Sequence, residues 1–178
     1  MEYNRSLNIL CWNVRGLNDP DKWDLVYNKI EESACSIFYF QETKKESCDL
    51  AFLHKFAPKR FDCFEFCPSE GASGGIIVGW MSRMFTCVTI DIQIFAIRLE
   101  ITSTHDHSSW HLITVYGPTR EPDRTNFVAW LYSIDIAEDD LYLLLGTSIS
   151  IDETQIETKL GVILITCLFS MISFISWG

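Results

Sequence analysis

The chain has 178 residues, of which 13% are aromatic and 48% hydrophobic, a composition that suits one packed globular domain rather than a disordered segment. Its net charge is −10, from 24 acidic and 14 basic residues. That excess argues against passive, non-specific nucleic-acid binding, which depends on Lys and Arg neutralising phosphates, but it is compatible with a local acidic site that recruits a cation.

"LNILCWNVRGLN" opens with alternating apolar positions, Leu7, Ile9 and Cys11, and breaks at Arg15-Gly16, so it predicts a strand running into a loop. In "DPDKWDLVYNKIEESA", Asp19 stands as an N-cap, Pro20 in the first turn, and Trp23, Val26, Tyr27 and Ile30 at helical spacing. "SIFYFQE" is a nearly continuous apolar run with a polar tip, the mark of a strand covered on both faces. A short helix is predicted over Leu50–Phe56. The pattern then changes to short strands, "FDCFEFC", "GGIIVGW", "FTCVTIDI", "IFAIRLEI" and "SWHLITVYG", which predict an antiparallel section. "EPDRTNFVAWLYSI" puts Phe127, Trp130 and Leu131 on one helical face, and "LYLLLG" reads as another buried strand. No repeat or linker divides the chain, and the fold class is mixed α/β.

The seven cysteines form an odd, scattered set, and Met1–Arg5 leads into the first strand without an apolar leader. Together they read as reduced thiols of an intracellular protein. Cys63 and Cys67 lack the second pair that a structural zinc site needs. "LGVILITCLFSMISFISWG", Leu160–Gly178, contains no charged residue and reaches the length of a membrane-spanning candidate. Its β-branched and Ser/Thr residues and its single flanking Lys159 speak against a dedicated anchor.

Polar residues concentrate at strand ends: Asn13, Gln41-Glu42, Tyr116-Gly117-Pro118 and Gly146-Thr147. Rigid sheets present such tips to ligands in layered α/β proteins. Each tip also has a plain reading as a turn residue, a solvated charge or a strand terminator. "GASGGIIVGW" is no phosphate-binding loop, because neither Lys-Ser/Thr nor a helix follows Gly75. Ser73-Gly74-Gly75 reads as a packing element.

The succession of "CWNVRGLN", "QETK", "GASGGIIVGW" and "YGP" over Leu7–Gly146 resembles the endonuclease/exonuclease/phosphatase (DNase I-like) superfamily. It looks most like the endonuclease domain of plant non-LTR (LINE-type) retrotransposons. The resemblance implies a DNase I-like layered α/β sandwich of two mixed or antiparallel sheets flanked by helices, C-terminally incomplete. On that reading residues 1–159 are a partial domain and 160–178 an apolar tail. The tail is open between degraded family sequence, where the family packs a helix, an unrelated extension, and a membrane anchor. The resemblance also implies Mg²⁺-dependent hydrolysis of phosphate esters, with DNA the ancestral substrate and no obligate protein partner. Glu42 would bind the metal, Asn13 would position metal and phosphate, and Tyr116 would contact the phosphate.

The chain departs from the family where a Gly-Asp-Phe-Asn motif is expected. Thr147 stands in place of the aspartate that handles the attacking water, and Ile149 in place of the supporting asparagine. Asp152 lies five residues past Thr147, too far for a simple substitute. The family's final Asp-His pair has no counterpart. Asp106-His107 precedes Tyr-Gly-Pro and reads as a solvated hairpin loop, the alternative being a weak metal site with His105 and His111. The expectation is a degenerate, catalytically inactive relative, with a silent binding module as the alternative and a membrane-tethered protein as a lesser one.

Overall fold

A computed structural model describes residues 7–70, 73–118, 121–135 and 141–146, together with the backbone of 163–166 and 169–174. The first unit is β1 (Leu7–Asn13), a single 3₁₀ turn at Pro20–Lys22, α1 (Trp23–Ser33) and β2 (Ile37–Gln41). The Asp19 side chain accepts the Asp21 N–H, so the predicted cap sits on the 3₁₀ turn that leads into α1. α1 buries Val26 and Ile30, whereas Tyr27 stays 39% exposed. β1 and β2 are parallel, with Ile9 opposite Ile37 and Asn13 opposite Gln41, as a βαβ unit requires.

The other elements are α2 (Leu50–Phe56), β3 (Cys63–Glu70), β4 (Ser73–Trp80), β5 (Phe85–Gln93), β6 (Ala96–Ser103), β7 (Ser109–Val115), α3 (Asp123–Ser133), β8 (Tyr142–Gly146), β9 (Ile163–Thr166) and β10 (Phe169–Phe174). They form two five-stranded sheets. One has the order β10-β1-β2-β4-β3 and the other β5-β6-β7-β8-β9. Both are mixed. In the first, only β1 and β2 run parallel, and in the second β8 is parallel to both β7 and β9.

The layers follow from side-chain alternation. Ile9, Tyr39, Ile76 and Val78 of the first sheet face Ile97, Leu99, Ile101, Leu112, Leu143 and Leu145 of the second. On the outer side of the first sheet, Leu10, Phe38, Phe40 and Ile77 meet Val26 and Ile30 of α1 and Leu53 and Phe56 of α2. On the outer side of the second, Phe95, Ile113, Val115 and Leu144 meet Phe127 and Leu131 of α3. This α/β/β/α sandwich explains why all five residues of β2 and of β8 are buried: both faces are covered. The expected βαβ opening and antiparallel middle section are both present.

Two expectations change. Within the apolar tail, the backbone of residues 163–166 and 169–174 forms strands rather than the helix that the resemblance implied. Ile163–Thr166 pairs with β8 and Phe169–Phe174 with β1. β-Branched runs such as Ile-Leu-Ile suit a strand better than an exposed helix. Cysteine chemistry also differs. Cys35, Cys48, Cys63, Cys67 and Cys87 are free, but Cys11 is disulfide-bonded. Spacing along a chain cannot say which cysteines the fold brings together.

A buried polar contact crosses the apolar interface between the sheets close to the strand tips. The hydroxyl of Tyr39, fully buried on β2, donates to the Val115 carbonyl of β7 at 2.7 Å, and the Gln41 side-chain amide lies 2.9 Å away. A buried phenol needs such a partner. Replacing Tyr39 by Phe keeps the ring and strands the Val115 carbonyl. We expect a loss of about 1–3 kcal/mol in urea denaturation, the usual cost of leaving one buried polar group unpaired. An unchanged midpoint would show that water replaces the bond.

Candidate active site

The parallel pairing of β1 with β2 sets the tips of both strands side by side, and the loop after β2 carries Glu42. This loop is backbone-bonded on two flanks. On one, the N–H groups of Val14, Gly16 and Leu17 donate to the carbonyls of Gln41, Glu42 and Thr43 at 3.1, 2.7 and 2.9 Å. On the other, the N–H groups of Thr43 and Lys44 donate to Gly75 and Gly74 at 3.2 and 3.1 Å. The Asn18 side-chain amide adds a bond to the Lys44 carbonyl at 2.9 Å.

This bracketing holds an unusual backbone. Arg15, Glu42 and Lys44 have φ of 50°, 55° and 54°, and Gly16, Gly74 and Gly75 have φ of 100°, 81° and 86°. A non-glycine residue in the left-handed region costs about 1–3 kcal/mol, and such strain concentrates where a side chain must be aimed. Here the aimed side chain is Glu42.

Glu42 is half-buried, and its Oε1 accepts a hydrogen bond of 2.8 Å from the hydroxyl of Tyr116. Tyr116 immediately follows β7 in the opposite sheet, where its N–H donates to the Phe95 carbonyl at 2.8 Å. Two residues 74 positions apart in the chain, each from a predicted tip, therefore meet across the sandwich. Burial, with the hydrogen bond to Glu42 and its negative charge, pushes the Tyr116 phenol up to about 12. Tyr116 is thus a neutral O–H donor throughout the physiological range.

The remaining predicted residues fall elsewhere. Asn13 closes β1 next to this pair, but its Oδ1 accepts the Arg15 N–H at 3.1 Å. The plain turn reading therefore describes its present contact, and no hydrogen bond joins it to Glu42 among the described residues. Thr147, Ile149 and Asp152 lie outside the described residues; β8 ends at Gly146, paired with Val115, one residue before Tyr116. Asp106 and His107 occupy an exposed turn between β6 and β7. Hydrogen bonds from Ser103 and Ser108 hold the Asp106 carboxyl down at about 2. His111 instead stacks on Tyr142, with ring centroids 4.5 Å apart, so it does not join His105 and His107. No group of three His, Cys, Asp or Glu converges among the described residues, Cys63 and Cys67 included.

Two contributors escaped the sequence reading. Tyr39 was hidden in an apolar run, although a hydroxyl there signals a buried partner. Thr43 was hidden in a polar run, yet it is completely buried under the Gly74-Gly75 backbone.

No family model and no curated protein matches the chain. Solved structures do. D. rerio TDP2 complexed with single strand DNA product aligns with a TM-score of 0.57 at 16% identity, over 89% of this chain and 66% of that one. The human Nocturnin catalytic domain with bound sulfate anion gives 0.60 at 10% identity, over 85% and 68%. An endonuclease/exonuclease/phosphatase family protein from Bacteroides thetaiotaomicron gives 0.55 at 10%, over 88% and 69%. The fold is the DNase I-like α/β sandwich. The chain spans about two thirds of the length of these structures. At such identities the likeness defines the fold.

A raised phenol pKa has a definite sign for stability. The folded chain holds the Tyr116 proton more tightly than the unfolded chain, so the contribution is complete below pH 10 and is lost as pH climbs from 10 through about 12. Tyr116→Phe should flatten part of the alkaline fall in stability, measured by denaturant melts at a series of pH values. Buried Tyr39 and the thiols of Cys35, Cys48, Cys63, Cys67 and Cys87, all raised by burial, contribute to the remainder. An alkaline limb identical in wild type and variant would mean that the Glu42–Tyr116 bond does not form.

Proposed function

We infer that this chain is a phosphate-ester-binding domain of the DNase I-like class, in which Glu42 holds a hydrated Mg²⁺ and Tyr116 meets the phosphate. The observation that carries this reading is the 2.8 Å contact between Glu42 and Tyr116, side chains delivered by two different sheets to one place. The donor set fits the ion. Mg²⁺ keeps several waters and commonly takes one or two carboxylates together with substrate phosphate oxygens. One half-buried carboxylate meets that need, whereas zinc would want converging His or Cys ligands.

Bound there, Mg²⁺ would polarise a phosphoryl oxygen and offset charge on the phosphate. The chain's own residues do the orienting. The left-handed backbone at Glu42, fixed by its bonds to the 14–17 and 74–75 segments, directs the carboxylate. Tyr116 keeps its proton and supplies a directional O–H donor rather than a base. Asn13, bonded within its own turn, stands close enough in register to add an amide contact once a phosphate enters.

Hydrolysis needs more than binding. By resemblance, Thr147 and Ile149 replace the residues that activate water and support the transition state, and removing one positioned acid/base group costs typically ~10²–10⁴-fold in rate. We therefore read the domain as catalytically silent, with Mg²⁺-dependent DNA nicking its ancestral activity. The kinship with plant LINE-type retrotransposon endonucleases rests on "CWNVRGLN", "QETK", "GASGGIIVGW" and "YGP". Residues 160–178 fit this reading as a domain segment rather than an anchor, supported by the pairing of 163–166 and 169–174 with β8 and β1. Among the described residues no helix is long and apolar enough to cross a membrane.

Two measurements test the reading. Mg²⁺ at about ten times its dissociation constant should stabilise the wild type by roughly 1.4 kcal/mol in a thermal-shift assay, and Glu42→Ala should abolish the effect. Supercoiled plasmid incubated with the protein and Mg²⁺ should be nicked no faster than with Mg²⁺ alone. EDTA-sensitive nicking that disappears in Glu42→Ala would overturn silence. Mg²⁺ stabilisation that survives Glu42→Ala would overturn the metal assignment.

A further inference from the structure

The geometry points to Thr43 and Gly75 as a matched pair that positions Glu42: a side chain that fills the space a glycine leaves vacant, and so fixes the backbone turn that aims the carboxylate. This rests on the reading of Glu42 as the metal carboxylate for its functional meaning, but not for its geometry.

Three observations converge. A Cβ built on Gly75 would collide with Thr43 Oγ1 and would lie 3.3 Å from the Lys44 nitrogen and 3.4 Å from Ser69 Cβ. The first contact is far inside van der Waals range, so no side chain fits at 75 while Thr43 keeps its place. Gly74 supplies the contrast. Its φ of 81° nearly equals the 86° of Gly75, yet a Cβ there would meet nothing within 4 Å. The left-handed backbone explains a glycine at both positions, but space explains one only at 75. Finally, Thr43 is completely buried and its Oγ1 makes no hydrogen bond. Its hydroxyl is therefore retained for shape rather than for bonding.

The mechanical consequence is local. Thr43 directly follows Glu42, and its N–H donates to the Gly75 carbonyl at 3.2 Å. A Cβ at 75 must push Thr43 outward and stretch that bond. The displacement passes through one peptide unit to Glu42, whose carboxylate must then leave Tyr116.

The test uses the full chain with ¹³C-labelled tyrosine. The Tyr116 ring-carbon signal is identified by its loss in Tyr116→Phe, and its unbonded position is defined by Glu42→Ala. Gly75→Ala should move the signal to the Glu42→Ala position while the amide spectrum of the sheets remains folded. Gly74→Ala, carrying the same backbone strain, should leave it at the wild-type position. Thr43→Val, which keeps the shape and removes the hydroxyl, should also leave it unmoved. Thr43→Ala combined with Gly75→Ala should return it toward wild type. In the same series the Mg²⁺ midpoint should rise about tenfold or more in Gly75→Ala and recover in the double variant, the usual size of a supporting-residue effect.

An unmoved signal in folded Gly75→Ala overturns the pairing, as does equal movement in Gly74→Ala. So does a Gly75→Ala chain that fails to fold and is not recovered by Thr43→Ala. If the tyrosine signals behave as expected but the wild type shows no Mg²⁺ response, the positioning pair stands and the metal assignment of Glu42 falls.

Discussion

The hydrogen bond from Tyr39 to the Val115 carbonyl fixes how one sheet lies on the other. Apolar side chains hold two sheets together but tolerate sliding, since one aliphatic neighbour serves about as well as the next. A buried hydroxyl does not tolerate it, because moving it strands both itself and its acceptor. This bond stands three residues before Glu42 and one before Tyr116. Whatever register it imposes is passed, over a few ångströms of rigid strand, to the carboxylate and phenol that meet above it.

The loop around Glu42 shows the same division between attraction and direction. Nothing in "QETKK" favours left-handed backbone, and two of its residues adopt it nonetheless. The strain is tolerated because the loop has no alternative path. Segments 14–17 and 74–75 bond it from opposite flanks, and Thr43 is wedged below. The Glu42–Tyr116 contact therefore depends on elements that form no part of it, which is a common way for a fold to hold a poor local conformation in place.

Much of this was legible beforehand. Apolar period and length revealed the strands and the helices α1 and α3, because the two-sided burial of β2 and β8 and the amphipathic face of α1 leave direct traces in residue type. Glu42 and Tyr116 were legible as strand tips, and their order along the chain suggested the architecture. Their mutual contact was not, since it depends on the sheet-to-sheet register set by a hydroxyl buried within "IFYF". The glycines before β4 looked like a packing element; that their partner is Thr43, more than thirty residues earlier, follows only once β2 and β4 are neighbours. The tail misled for a physical reason. An uncharged apolar run reads alike as helix or as buried strand, and only its partners decide.

The pairing of β10 with β1 brings together segments roughly 160 residues apart, a separation that slows folding because the entropy of closing so long a loop is spent before the contact is made. On a ribosome that separation is also a delay in time. Leu7–Asn13 leaves the exit tunnel well before Phe169–Phe174, finds β2 soon after, and then presents an apolar strand with one side unpaired while the residues between are still being made. For that interval the nascent domain has the adhesive surface of an open sheet, closed only when Phe169–Phe174 emerges.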